Sequence, residues 1–92
     1  MIGSFADKAL KRLYERGDRA GVRPDMVAKI ERILQRLDEI SAVEQMALPG
    51  YRLHPLTGDL KGFWSVTVNG NWRVIFRFAD GRAHDVRLVD YH

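Results

Sequence analysis

The chain closes on Val89-Asp90-Tyr91-His92, an acid, a phenol and an imidazole at the end of a strand-like stretch. Chain ends usually fray and tolerate change, so three chemically competent side chains there are expected to be held against a sheet as part of a working site. Two more groups of the same kind lie upstream, His54 and Arg73. A guanidinium holds a phosphate through its planar fork and offsets charge that develops on a reacting phosphorus. An imidazole gives or takes a proton near neutral pH. A tyrosine stacks on a base or bonds a reacting oxygen. These residue types suit acid–base chemistry at a phosphate, provided the fold brings them together.

The first half of the chain reads as helical. Ser4 and Asp7 resemble a capping-box start, followed by Ala6, Ala9, Leu10, Leu13 and Tyr14 at helical spacing and a stop at Gly17. A basic turn over 17–24 ends at Pro24, which is tolerated at a helix entrance. Met26, Val27, Ile30, Ile33, Leu34, Leu37 and Ile40 then form an uninterrupted 3.6-residue stripe. A connector from Ser41 to Gly50 leads into alternation of period two. Strands are expected at Tyr51–His54, Phe63–Val68, Trp72–Phe78 and His84–Tyr91. The loop Pro55–Gly62 separates the first two, Asn69-Gly70 makes a tight hairpin and Asp80-Gly81 the next turn. Met1 to Gly3 is a candidate edge strand. The expected architecture is α+β: two N-terminal helices packed on one face of an antiparallel β-sheet, forming one domain over 1–92.

Such a sheet leaves its second face to water or a ligand. Alternation sorts the side chains between the two faces. Trp64, Val66, Val68, Trp72, Val74, Phe76, Phe78, Val86 and Leu88 belong to the helix side. Ser65, Thr67, Arg73, Ile75 and Arg77 fall on the other, joined by Arg87, Val89 and Tyr91 if no bulge intervenes. His54, out of phase with Leu53, also points outward, and Asp90 falls on the helix side. A single exposed arginine on a strand is most often a solubilising charge. Convergence of Arg73, Arg77, Arg87, His54, Tyr91 and the terminal His92 on one surface is what points to a site.

Composition narrows the possibilities. The chain has 92 residues, a formal charge of +3, 46% apolar and 29% charged residues, and no cysteine. Disulfides, thiolate metal sites and thiol nucleophiles are thereby excluded, and disorder is not expected. Three histidines without paired spacing do not define a metal site. No run approaches a membrane span. The start has no signal-like pattern, so the expected compartment is the cytoplasm. The link of about eight residues between the helices is longer than a helix-turn-helix turn.

Three runs carry a family likeness. They are Tyr51-Arg52-Leu53-His54-Pro55-Leu56 with Gly58-Asp59 and Gly62-Phe63-Trp64-Ser65-Val66; Asn71-Trp72-Arg73-Val74-Ile75-Phe76; and Asp90-Tyr91-His92. In order, spacing and position the chain resembles the HigB toxins, plasmid-maintenance killer proteins of the RelE superfamily. The opening Met1-Ile2-Gly3-Ser4-Phe5 and Leu13-Tyr14-Glu15 fit as well. The resemblance implies a microbial-ribonuclease-like fold and the toxin of a bacterial type II toxin–antitoxin system. It also implies ribosome-dependent cleavage of mRNA in the decoding site, which inhibits translation, with no metal or cofactor. Its implied partners are the ribosome, mRNA and a HigA-like helix-turn-helix antitoxin, with no membrane. Carried over by motif, His54, Arg73, Tyr91 and His92 are catalytic and Asp90 supports them; Arg77 and Arg87, from their outward face, and Lys61, from its loop, are the expected RNA-binding residues.

One position departs from the pattern. Relatives often carry a lysine after His-Pro-Leu where this chain has Thr57, and Lys61 in the same loop is a candidate substitute. The departure favours an alternative reading, a catalytically weak or inactive RNA- or ribosome-binding module of the same fold. A third reading is a protein-interaction domain whose sheet face serves a partner.

Overall fold

The structure is a computed structural model that describes residues 1–91. Helix α1 spans Lys8–Arg16 and α2 spans Pro24–Glu39. Four strands follow: β1 (His54–Pro55), β2 (Trp64–Asn69), β3 (Trp72–Ala79) and β4 (Arg82–Asp90). They form one antiparallel sheet in sequence order. This is the expected arrangement of two helices on one face of a meander.

Local chemistry explains the helix ends. Asp7 is itself the cap of α1, accepting from the Ala9 and Leu10 backbone N–H groups at 3.0 and 3.2 Å. Ser4 is not part of the cap; its hydroxyl accepts from the Asp85 N–H at 2.9 Å. Asp7 also accepts from the Leu88 N–H at 3.1 Å, so one carboxylate fixes both the start of α1 and the flank of β4. Gly17 ends α1 with a φ of 67°, the left-handed geometry that glycine adopts without a Cβ penalty. Pro24 occupies the first turn of α2, where its missing N–H is not needed.

The core lies between the helices and the sheet. All seven residues of the α2 stripe are buried, together with Leu10, Leu13, Val66, Val68, Val74, Phe76, Ala83 and Val86. Trp64, Trp72, Phe78 and Leu88 pack around this cluster half-buried. On the helix side the Tyr14 hydroxyl donates to Asp38 Oδ1 at 2.6 Å, and the same oxygen accepts from the Ile2 N–H at 3.2 Å. That bond to Asp38, with partial burial and the charges of Asp38 and Glu15, pushes the Tyr14 phenol up to about 12.

Three expectations need correction. The first strand is only His54–Pro55, because Arg52 adopts a φ of 51° and breaks the extended run. The first hairpin turns on Gly70-Asn71, and Asn69 remains in β2, paired with Trp72. Only Gly70 of that turn has a positive φ. The paired positive φ values expected there occur instead at Asp80 and Gly81, at 54° and 73°. Met1 to Gly3 is not a full strand. Ile2 and Phe5 make isolated parallel bridges to Ala83 and Val86, covering the outer edge of β4.

Candidate active site

The strand registers turn the face away from the helices into a grid. Pairing His54↔Ser65, Ser65↔Ile75 and Ile75↔Arg87 sets one cross-strand row. Thr67↔Arg73 and Arg73↔Val89 set the next. Directly paired residues share a face, so His54, Arg73 and Arg87 lie on the same surface. A bulge does intervene in β4, where Asp85 takes a φ of 53° and the register shifts opposite Phe76. It lies before Arg87, so Arg87 and Val89 keep the expected face.

His54 is exposed, and its Nδ1 lies 3.0 Å from the Arg52 carbonyl oxygen. A carbonyl only accepts, so this bond requires the proton on Nδ1 and leaves the Nε2 lone pair free in the neutral ring. Arg52, whose carbonyl makes this contact, holds a φ of 51°, a left-handed conformation that costs energy in a residue other than glycine.

Arg73 is half-buried and tied to the hairpin. Its Nη1 donates to the carbonyls of Gly70 at 2.6 Å and Trp72 at 3.2 Å. The guanidinium is thus anchored by one end, which leaves the rest of the fork for a ligand. Tyr91 lies just past β4, and its backbone N–H donates to the Asn71 carbonyl at 2.8 Å. The same short turn therefore anchors Arg73 and Tyr91 at one end of the face. Tyr91 is 44% exposed, so its ring is open to a ligand.

Among the described residues, four buried side-chain polar atoms have no hydrogen-bond partner: Ser65 Oγ, Thr67 Oγ1, Arg73 Nε and Arg87 Nε. All four residues belong to the two rows just described. A buried polar atom left unpaired costs about 1–3 kcal/mol, and native structures keep few of them. All four lie on the one face that carries His54, Arg73 and Arg87.

The remaining site residues distribute as follows. Asp90 pairs with Trp72 and so falls on the helix side, as alternation implied. Lys61 is exposed in the loop between β1 and β2, after a single 3-10 turn over Gly58–Leu60. Arg77 is exposed, and its Nε lies 3.5 Å from Asp85 Oδ2. His92 lies outside the described residues. Sequence reasoning placed Ser65 and Thr67 on the right face but gave them no role; alternation was the signal, and burial is what adds the meaning. Among the described residues no group of three or more histidines and carboxylates gathers as a metal site, and no described helix is long and apolar enough to cross a membrane.

Comparison with known proteins places the chain in a family. Residues 3–92 match the family model of HigB-like toxins, described as the RelE-like toxin of the type II toxin–antitoxin system HigB. The chain belongs to this family. It is 42% identical over 92 residues to Endoribonuclease HigB of Proteus vulgaris, covering 100% of both chains. It is 37% identical over 90 residues to Toxin HigB-1 of Vibrio cholerae, covering 96% of this chain and 95% of the other. Among solved structures it is similar to a mutant form of YafQ from E. coli, with a TM-score of 0.61, 20% identity and coverage of 96% and 91%. A YoeB–YefM complex from Staphylococcus aureus matches with a TM-score of 0.60, 18% identity and coverage of 100% and 98%. These structural likenesses show that the chain shares the fold of YafQ and YoeB.

Proposed function

We propose that this chain is the toxin of a type II toxin–antitoxin system and cleaves mRNA on the ribosome, within the decoding site, so stopping translation. The observation that carries this reading is the convergence of half-buried Arg73 and Arg87 with exposed His54 on one sheet face, beside exposed Tyr91 at the same hairpin. A polyanionic strand offers many acceptors to the guanidinium N–H groups of such a face. The full-length identity to a protein named as an endoribonuclease supports the same conclusion.

In the proposed reaction the RNA 2′-oxygen attacks the adjacent phosphorus and the bond to the 5′-oxygen breaks. The products are a 2′,3′-cyclic phosphate and a 5′-hydroxyl. His54 Nε2 takes the 2′-hydroxyl proton, a role open to it because the contact of Nδ1 with the Arg52 carbonyl leaves Nε2 as the ring nitrogen that can meet substrate. His92 returns a proton to the leaving 5′-oxygen. Arg73, held by Gly70 and Trp72, offsets charge on the phosphoryl oxygens. Tyr91 orients the nucleotide, Asp90 supports the terminus from the helix side, and Lys61, Arg77 and Arg87 hold the flanking strand. The partner proposed for neutralisation is a HigA-like helix-turn-helix antitoxin, and the proposed site of action is the cytoplasm.

The test is induction in a growing bacterium, followed by mapping of mRNA ends. Growth arrest and cuts inside translated codons are expected, and both should disappear in Arg73→Ala and on deletion of His92. Full toxicity of both variants would show that the site is wrong. Thr57 supports a second reading, a module that binds the ribosome without cutting. Thr57 is exposed and leaves the usual lysine position uncharged. Co-sedimentation with ribosomes without cuts would establish that reading instead.

A further inference from the structure

The grid extends one row beyond His54. Pro55 pairs with Trp64 and Trp64 with Phe76, so the next step sets Leu56, Phe63 and Arg77 side by side, with Arg77 paired to His84. The Leu56 N–H donates to the Phe63 carbonyl at 2.9 Å, which confirms that step at the β1 end. Phe63 therefore stands on the same face as Arg73 and Arg87, although it precedes β2 and is apolar. Two guanidiniums lie over its ring, Arg77 with its Cζ at 4.8 Å from the centroid and Arg87 at 5.7 Å. An aromatic face attracts a cation within about 6 Å, so both arginines are drawn to one platform.

We propose that Phe63 is a positioning residue that assembles Arg77 and Arg87 into a second phosphate subsite, one that holds a non-scissile phosphate of the bound RNA strand. The proposal rests on the RNA-cleaving reading above. Three observations carry it. A guanidinium drawn over a ring by its charge can still donate its terminal Nη N–H groups to oxygen acceptors. The Arg87 Nε is buried without a partner among the described residues, while the Arg77 Nε is held at 3.5 Å from Asp85, which fixes its direction. Arg77 also lies four residues from Arg73 along β3, roughly 13 Å at the rise of a strand, far enough to engage a phosphate other than the one at the cleaved bond.

Held this way, the two arginines lose less freedom when a phosphate arrives than flexible surface arginines would. The contribution is to binding of the strand and not to the chemical step. Loss of Phe63 should therefore raise KM and leave kcat nearly unchanged.

The experiment uses full-length toxin and a fluorescein-labelled 2′-O-methyl RNA hexamer, which cannot be cleaved. Anisotropy is recorded over a salt series, and KM and kcat are measured separately for ribosome-bound mRNA. Phe63→Leu should weaken hexamer binding about three- to tenfold, as expected from removal of two cation–π interactions. It should also flatten the slope of log affinity against log salt by about 0.7 for each phosphate no longer neutralised. Phe63→Tyr should restore both, and Phe63→Leu should add little in an Arg87→Gln background. Arg87→Gln leaves the apolar core intact and tests the subsite even if Phe63→Leu does not fold. Wild-type slope and affinity in Phe63→Leu and Arg87→Gln would overturn the subsite, as would wild-type toxin that cuts ribosome-bound mRNA without salt-dependent hexamer binding. Wild-type toxin that neither binds nor cuts RNA would overturn the parent reading as well.

Discussion

If Ser65 and Thr67 are kept unpaired for a ligand, removing their hydroxyls should stabilise the free protein and weaken the toxin. Ser65 is fully buried, and both hydroxyl oxygens lack a partner among the described residues. Thr67→Val replaces the hydroxyl by a methyl of similar shape, and Ser65→Ala removes it with almost no change in volume. Relief of an unpaired buried hydroxyl is worth about 1–3 kcal/mol. The two sites are neighbours on one strand face and will not add fully, so a combined gain of about 2 kcal/mol is expected. In a domain of this size each kcal/mol moves Tm by about 4–8 °C. The assay is urea and thermal unfolding of purified wild type, both single variants and the double variant, followed by circular dichroism. In parallel, growth arrest on induction reports toxicity. A hydrogen bond to a charged group contributes about 1.5–3 kcal/mol, so loss of one should lower cleavage roughly 10- to 100-fold. A double variant that is no more stable than wild type would show that the hydroxyls are already satisfied in the free protein. A more stable variant with full toxicity would show that they do not meet RNA.

The Tyr14–Asp38 bond should contribute stability only while the phenol is protonated. Its pKa is raised from an ordinary value near 10 to about 12, so the contribution is full below pH 10 and is lost as pH rises through 12. Because Tyr14 is 37% exposed, solvent screening reduces the effect to about 1 kcal/mol. Urea unfolding at stepped pH should show Tyr14→Phe destabilised by that amount at pH 7, with the gap closing only above pH 10. Asp7→Ala should cost about 2 kcal/mol in the same assay, since it removes the α1 cap and strands the Leu88 N–H. A loss below about 0.5 kcal/mol would show that water replaces both roles. Arg52→Gly should keep stability and toxicity, because the carbonyl that holds His54 belongs to the backbone. Arg52→Val should lose about 1–2 kcal/mol and much of the toxicity, because a β-branched residue resists the positive φ there. Equal behaviour of these two variants would remove the strained backbone from the description of the site.

Much of this surface was legible in the sequence because alternation is a strict rule. Arg73, Arg77 and Arg87 could be assigned a face from Val74, Phe76, Val86 and Leu88 alone, and that assignment agrees with the registers. The α2 stripe was equally clear, since seven apolar residues at helical spacing admit one packing face. Features that depend on unusual backbone were not legible. Arg52 and Asp85 carry positive φ without being glycine or asparagine, so neither the short β1 nor the β4 bulge announced itself. The hairpin shifted by one residue because Asn69-Gly70 and Gly70-Asn71 are both acceptable turn pairs, and pairing of Asn69 with Trp72 chose between them. Asp7 outdid Ser4 as the cap because Ser4 is held by β4, a contact 81 residues away in sequence. The roles of Ser65, Thr67 and Phe63 required burial and ring geometry, which alternation does not supply.

The most direct measurement is cleavage in a reconstituted system of purified toxin, mRNA and ribosomes programmed with that mRNA, with chemical analysis of the new ends. Cuts are expected only on ribosome-bound mRNA, within the codon at the decoding site, leaving a 2′,3′-cyclic phosphate and a 5′-hydroxyl. Arg73→Ala and His54→Ala should each abolish them while leaving the unfolding transition intact. Cleavage of naked mRNA at the same rate, ends of the opposite polarity, or full activity of His54→Ala would contradict the proposed site and its chemistry.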